Sequence, residues 1–197
     1  MRTKVVLVLA AVFMLVVGGT AVASNMGFKI TIPLAAGGYS NWVSLPYYNS
    51  YTTAASIFGD ITGCTQVSRW DNPSGTYQSY TGGRGTGFNV TPGEAYLIKV
   101  SSATDWIVVG SHDPSLALTL SAGGASNWVS IPYHTTATTA SGLFGQIPNC
   151  TQVSRWDNPS GTYQSYTGGR GTGFNLTPGE GLLIKVNANE SWTPLHY

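Results

Sequence analysis

The chain of 197 residues has little charge and many aromatic rings, since 9% of its residues are charged and 12% are aromatic. Disordered chains lack aromatic and β-branched residues, so this composition predicts a folded protein. Nine basic and eight acidic residues nearly cancel, which excludes the strongly basic surface that attracts nucleic acid or an anionic membrane. We therefore expect neither as a partner.

Residues 1–23 have the pattern of a secretory signal peptide. Arg2 and Lys4 precede an uncharged apolar run over residues 5–17, and an Ala-Val-Ala tripeptide ends at Ala23. Small residues of this kind fit the narrow pocket of a signal peptidase, so we predict cleavage after Ala23. The alternative is an uncleaved anchor, because the uncharged stretch that ends there has 19 residues, just enough to cross a bilayer. After cleavage we expect no membrane association, and a place in the exterior, on the cell surface or in the periplasm.

The rest of the chain consists of two copies of one unit. Residues 64–89 recur without a change as residues 150–175, at an offset of 86 residues. The offset holds without a gap over 61 aligned positions, of which 47 are identical. A fixed period of this size indicates one structural unit built twice. The predicted domains are a signal peptide followed by β-repeats at 24–110 and 111–197.

Each unit is predicted to begin with two short strands. Apolar and polar residues alternate over residues 28–34 and again over 115–120, which is typical of a half-buried strand. Residues 41–46 follow as a second strand, matched by 127–132. Because proline cannot donate to a β-ladder, the proline that closes each of these segments should end its strand or lie at an edge.

Residues 52–59, with their counterpart at 138–145, are the one helical segment predicted in each unit. A threonine can cap its start, and Gly59 can end it in the left-handed conformation. A helix of one or two turns is not stable alone, so Ile57 and Phe58 should fasten it to the sheet.

The identical block predicts a β-hairpin, because residues 65–70 and 76–80 read as strands around an Asp-Asn-Pro-Ser-Gly loop. A glycine-rich loop over residues 82–87 follows. The remaining predicted strands are 88–90, 95–100 and 106–109. Six or seven short strands in 86 residues predict an all-β fold: two tandem small β-sandwich or partly open barrel units with one short helix each.

The junction between the units predicts a fixed arrangement and self-association. Only residues 110–114 separate the units, too few for independent tumbling. The last segment, 192–197, has no following strand, and the strand at 28–34 has no preceding domain. Repeating the unit-to-unit step between molecules would fill both places, so we expect head-to-tail oligomers.

The glycine-rich loop and the repeated acidic residues have ordinary structural explanations. The spacing Gly83-x-Gly85-x-Gly87 resembles that of phosphate-binding loops, but strands flank it and no helix follows. The acidic residues common to both copies lie in turn sequences. They are Asp71, Asp157, Glu94 and Glu180.

The histidines give no sign of a catalytic or metal site. His112, His134 and His196 have no equivalents in the other copy, and their spacing does not resemble that of metal ligands. We therefore predict no enzyme, no metal and no cofactor.

An aromatic group on the hairpin is the candidate binding surface. Trp70, Tyr77 and Tyr80 lie close in sequence to Arg84. The second copy repeats the group as Trp156, Tyr163, Tyr166 and Arg170. Aromatic faces flanked by polar groups suit sugars or a protein partner. The alternative is that these are ordinary strand residues, with Trp70 in the core.

A second group of tyrosines occurs near the strand end of the first copy. These are Tyr39, Tyr47, Tyr48 and Tyr51, which the second copy replaces by Ala125, Tyr133, His134 and Ala137. We expect any ligand of this patch to bind the first copy.

Cys64 and Cys150 occupy equivalent positions in a chain predicted to reach an oxidising compartment. They can pair within the chain only if a pseudo-twofold axis brings their Cα atoms within about 7 Å. A buried free thiol in each unit is the preferred interpretation, and a disulfide between repeats or between subunits stays open.

Three segments carry a resemblance to known proteins. They are Ser-Asn-Trp-Val-Ser-Leu-Pro-Tyr at 40–47, Val-Ser-Arg-Trp-Asp at 67–71, and the Thr-Pro-Gly-Glu turn with its Leu-Ile-Lys-Val strand at 91–100. They resemble small exported bacterial proteins built from repeated β-units, most of them uncharacterised, and more loosely the repeats of S-layer-type and fibronectin-III-like surface proteins. The resemblance covers residues 26–197 and implies a secreted or surface β-protein.

We therefore predict a non-enzymatic, secreted or cell-surface structural or adhesive protein, such as a subunit of an extracellular assembly. The alternative is a carbohydrate-binding module that uses the aromatic hairpins to hold a surface glycan. Its partner would be a glycan, whereas that of the structural protein would be a further copy of the chain.

Overall fold

The computed structural model of the chain describes residues 27–196. The predicted signal peptide, residues 1–23, and its cleavage site lie outside the described residues. Neither helix within 27–196 is long and apolar enough to cross a membrane.

The first unit is a sandwich of two antiparallel sheets. Its elements are β1 (Phe28–Leu34), β2 (Asn41–Ser44), β3 (Tyr48–Asn49), α1 (Ala54–Asp60), β4 (Cys64–Asp71), β5 (Thr76–Tyr80), β6 (Ala95–Val100) and β7 (Thr104–Ser111). The sheets have the strand orders β1-β7-β3 and β2-β6-β4-β5. Leu34, Ile57 and Tyr96 belong to the apolar core between the sheets and helix α1.

The second unit repeats this plan with a smaller first sheet. Its elements are β8 (Leu118–Leu120), β9 (Asn127–Ser130), α2 (Ala140–Gln146), β10 (Cys150–Asp157), β11 (Thr162–Tyr166), β12 (Gly181–Val186) and β13 (Glu190–Trp192). The sheets have the orders β8-β13 and β9-β12-β10-β11 and enclose a core of their own. The predicted fold class is confirmed: the described chain is all-β and sandwich-like, in two units with one short helix each.

The two units pack through the outer sides of their four-stranded sheets. Side chains alternate along a strand, so Val43 faces the core of the first unit while Trp42 faces the second unit. Trp42 stacks on its equivalent Trp128, with ring centroids 3.5 Å apart and planes within 2° of parallel. Equivalent residues of two units contact each other in this way when a twofold axis relates the units.

Reciprocal hydrogen bonds confirm this pseudo-twofold axis. The Ser44 hydroxyl donates to the backbone carbonyl of Glu180 at 2.7 Å, and the Ser130 hydroxyl donates to that of Glu94 at 2.8 Å. Both serines are buried. A twofold step closes on itself and does not propagate, so the contact between the units provides no template for a head-to-tail array.

The helices begin with the predicted threonine caps and end later than predicted. Thr53 Oγ1 accepts from the Ser56 N–H at 3.2 Å, and Thr139 caps α2 in the same way. Gly59, predicted to end the helix, lies inside α1. The chain reaches the left-handed conformation only at Gly63, with a φ of 71°.

Two predicted strands differ from the structure. Residues 88–90 form a single bridge, Asn89 to Thr53, because this segment pairs with the residues that lead into α1. The strand predicted at 115–120 shortens to β8, because the Asp113 carboxylate accepts from the Ser115 N–H at 2.9 Å and holds the chain in a turn.

Candidate functional site

The alternation of side chains divides each aromatic hairpin between two sides of its sheet. Trp70 lies opposite Tyr77 on β4 and β5, and their rings meet edge to face with centroids 5.0 Å apart. Tyr80 lies on the other side, against Phe58 of α1 at 5.4 Å and in contact with the core. The residues predicted as one group therefore form two.

The second hairpin has the same division. Trp156 meets Tyr163 at 5.0 Å, and Tyr166 meets Phe144 at 5.4 Å. Arg84 and Arg170 lie in the exposed glycine-rich loops, where their backbone carbonyls accept from Thr81 and Thr167 at 2.9 Å. The structure therefore does not gather the arginines, tyrosines and tryptophans of a hairpin into one surface.

Six rings surround the pseudo-twofold axis, and we call them the axial aromatic patch. They are Trp42, Trp70, Tyr77, Trp128, Trp156 and Tyr163. Tyr77 and Tyr163 are 46% and 45% exposed, whereas the tryptophans are buried or half-buried. Burial raises the pKa of the Tyr77 phenol, and the nearby Tyr163 raises it further. Most of the patch therefore fastens the two units together, and its tyrosines reach the surface.

An open groove of about 410 Å³ lies beside Trp70, where the two units meet. Trp70, Asn72 and Glu94 line it from the first unit, while Leu118 and Trp128 line it from the second. The Asn72 Oδ1 atom fixes one wall, since it accepts from Trp70 Nε1 at 2.9 Å and from the Ser126 N–H at 2.8 Å. A ring beside a carboxylate and an amide NH₂ group can hold the apolar face of a sugar and bond to its hydroxyls.

Of the acidic residues repeated in both copies, Glu94 and Glu180 are paired with arginines. Glu94 lies 3.6 Å from Arg69, and Glu180 lies 3.8 Å from Arg155. Burial raises the pKa of both carboxyls, and the arginines counter part of that rise. Arg69 and Arg155, which the sequence analysis did not single out, thus hold these two turns in place.

The structure brings the three histidines together, which the sequence analysis did not predict. The ring centroids of His112 and His134 are 4.3 Å apart, those of His112 and His196 are 4.4 Å apart, and those of His134 and His196 are 5.4 Å apart. Burial lowers the pKa of His112 to about 4, and the two other imidazoles add to the effect. Within residues 27–196, no group of three or more His, Cys, Asp or Glu side chains is arranged to hold a metal ion.

The repeat offset of 86 residues contained a clue to this histidine cluster. His196 is the equivalent of Gly110, two residues before His112. In the second unit, Thr135 next to His134 bridges to His196. The linker residue His112 lies next to His134 and His196 only because the two units pack around the pseudo-twofold axis.

Cys64 and Cys150 are free thiols, each half-buried against the core of its own unit. Each Sγ lies 3.7 Å from the backbone carbonyl two residues ahead. Burial raises the pKa of Cys64 and raises that of Cys150 to about 11. Since the thiolate is the reactive form, both thiols are held in a form of low reactivity at neutral pH.

The glycine-rich loops fold back onto the edge strands. Gly85 has a φ of 90°, and a Cβ atom there would lie 2.3 Å from the Ser79 carbonyl oxygen. The close approach of the loop backbone to the Ser79 carbonyl explains why position 85 requires glycine.

Comparisons of the chain with protein-family models, with curated proteins and with solved structures found no match.

Proposed function

We propose that the mature chain is a non-enzymatic structural or adhesive protein outside the cytoplasm, a subunit of an extracellular assembly. One observation carries this proposal: the pseudo-twofold axis presents the same hairpin twice. β5 and β11 are the outer strands of the two four-stranded sheets, and their sequences are identical. The glycine-rich loop bridges to the last residue of each strand, Tyr80 and Tyr166, so the edge offered for pairing is the part near Thr76 and Thr162. Exposed strand edges pair with other chains, so a body with two equal edges can link two neighbours.

The ionisable groups suit a role without chemistry. The half-buried carboxylates of Glu94 and Glu180 are paired with arginines. Burial raises the pKa of both thiols. The place outside the cytoplasm rests on the predicted signal peptide.

Lysine substitutions at the two edges test the assembly. Lysine on an edge strand opposes pairing with a further strand. Light scattering of residues 24–197 at increasing concentration should show open-ended growth for the wild type. Thr76→Lys should stop growth at dimers, since one edge remains, and Thr76→Lys with Thr162→Lys should give monomers.

Asn187→Lys adds the same charge at an exposed position outside both hairpins and should leave assembly unchanged. A wild-type protein that stays monomeric at every concentration would refute the proposal.

The groove beside Trp70 favours carbohydrate binding as a second candidate function. The equivalent surface beside Trp156 differs, because Thr31 and Pro33 stand where the groove has Ala117 and Thr119. We expect Trp70→Ala to abolish binding on a glycan array and Trp156→Ala to retain it. Both variants lose similar packing at the interface, so equal melting temperatures would separate recognition from stability. Absence of glycan binding in the wild type would exclude this candidate, and glycan binding lost equally in both variants would exclude the groove beside Trp70 as its site.

A further inference from the structure

Four tyrosines of the first unit are missing from the second, and the equivalents of two of them line one cavity. Tyr51 and Tyr96 correspond to Ala137 and Leu182. Ala137 and Leu182 both line a cavity of about 160 Å³ in the second unit. The cavity therefore borders the two positions at which the first unit carries tyrosines.

In the first unit, the Tyr96 hydroxyl completes the hydrogen bonding of the Thr-Pro-Gly-Glu turn. It accepts from the Thr91 N–H at 2.7 Å and donates to the Glu94 carboxylate at 2.9 Å. Tyr96 is fully buried, so its ring fills the space beneath the turn as its hydroxyl satisfies the turn's polar groups.

The second unit keeps the turn and lacks the hydroxyl. Glu180 keeps its ion pair with Arg155 at 3.8 Å. The Oε2 atom of this pair is buried and has no partner within hydrogen-bond distance among the described residues. The Thr177 backbone lies close enough to the carboxyl group to lower its pKa. Leu182 offers no donor, and a buried acceptor without a donor is unfavourable. Glu180 lines the cavity, so its carboxylate can accept from a donor inside the cavity after a rotation that brings an oxygen to the cavity wall.

The cavity has mostly apolar walls, with Thr135, Thr138 and Thr177 as further polar residues beside Glu180, and it has room for one ring. Ile131, Pro132, Leu176 and Pro178 line it together with Ala137 and Leu182. An apolar cavity of about 150 Å³ is large enough to bind benzene. Tyr133, which is 40% exposed, also lines the cavity and places part of its wall at the surface.

We propose that this cavity binds a small phenol. The ring of the ligand lies in the cavity beside Leu182, and its hydroxyl donates to Glu180 as the Tyr96 hydroxyl donates to Glu94. The site goes beyond the proposed function and does not depend on assembly, since it lies within one unit. Its chemistry is the one that the chain already uses at the equivalent position.

Calorimetric titration with p-cresol and toluene tests the proposal on residues 24–197. One molecule of p-cresol should bind per chain. Toluene has the same ring and methyl group without the hydroxyl. Because it loses a hydrogen bond to a charged acceptor, it should bind at least about tenfold more weakly. Binding of N-acetyl-tyrosinamide in the same assay would identify a tyrosine side chain as the source of the phenol, and its failure would identify a free molecule.

The residues at the equivalent positions of the first unit indicate which variants to compare. Leu182→Tyr restores the ring and hydroxyl, so it should abolish p-cresol binding and raise the melting temperature. The double variant Tyr51→Ala with Tyr96→Leu opens the equivalent space in the first unit and should raise the stoichiometry to two. If that double variant does not fold, Leu182→Tyr and the toluene comparison decide.

Three results would overturn the proposal. They are no heat from p-cresol at millimolar concentration, equal affinity for toluene, and unchanged binding in a folded Leu182→Tyr protein. The first means that the cavity holds water or stays empty, the second that the Glu180 carboxylate is not the acceptor, and the third that the ligand binds elsewhere.

Discussion

Ala95 and Gly181 occupy equivalent positions in β6 and β12, and they meet at the pseudo-twofold axis. A Cβ atom built at Gly181 would lie 2.8 Å from Ala95 Cβ and 3.2 Å from backbone atoms of Trp42 and Val43. Carbon atoms do not approach so closely without displacement, so only one of the two positions has room for a methyl group. The packing of the units therefore explains why the copies differ here.

Exchanging these two residues tests the close approach. Gly181→Ala should lower the free energy of unfolding by about 1 to 3 kcal/mol, because the added methyl overpacks the interface. Ala95→Gly alone should cost no more than about 1 kcal/mol. The double variant should return close to the wild-type value, since the axis exchanges the roles of the two positions.

Urea denaturation of the four proteins measures the coupling between the two sites. Additive effects, with the double variant less stable than either single variant, would mean that the two residues do not meet.

At the scale of elements, the sequence predicted the turns correctly, whereas it was read wrongly for the side of the sheet on which each aromatic side chain lies. The hairpin of β4 and β5 was predicted because Asp-Asn-Pro-Ser-Gly determines a turn by itself. Its aromatic group was predicted as one surface, although the two-residue period places Tyr80 opposite to Trp70 and Tyr77. Residues 88–90 could not be predicted, because their pairing partner lies before α1 and depends on the tertiary fold.

The histidine cluster joins three segments and should make stability depend on pH. An unfolded histidine has a pKa near 6.5, whereas burial and the neighbouring imidazoles lower the pKa of folded His112 to about 4. The pKa of His134 is lowered as well, by burial and by His196. Below pH 6.5 the unfolded chain binds protons more readily, so this contribution is present above pH 6.5 and is lost as the pH falls toward 4.

Melting temperatures measured between pH 7.5 and 4.5 should therefore fall more for the wild type than for His112→Gln. Comparison with the variant is needed because Glu94 and Glu180 have raised carboxyl pKa values, which oppose this trend. The other charged group facing His112 is Asp113, which favours the protonated imidazole. Parallel curves for the two proteins would show that His112 does not titrate with unfolding.

At the scale of the whole molecule, three apolar layers follow one another: the core of the first unit, the axial aromatic patch, and the core of the second unit. A repeat in the sequence indicates two equal units and does not state the rotation that relates them. One signal of the axis was present in β2, where Trp42 and Val43 are adjacent and both large. Adjacent apolar residues in a strand indicate burial on both sides, and the second side of β2 is the contact with the other unit.

The stacked tryptophans should make the two units unfold together. Trp42 and Trp128 are each 6% exposed, and truncating a buried tryptophan to alanine costs about 3 to 5 kcal/mol. Because the axis makes the two rings equivalent, Trp42→Ala and Trp128→Ala should lower stability by similar amounts. Calorimetry should show one transition for the wild type and two for either variant, since each unit keeps its own core once the contact between them weakens. Two transitions in the wild type, or a variant that melts as the wild type does, would mean that the interface does not couple the units.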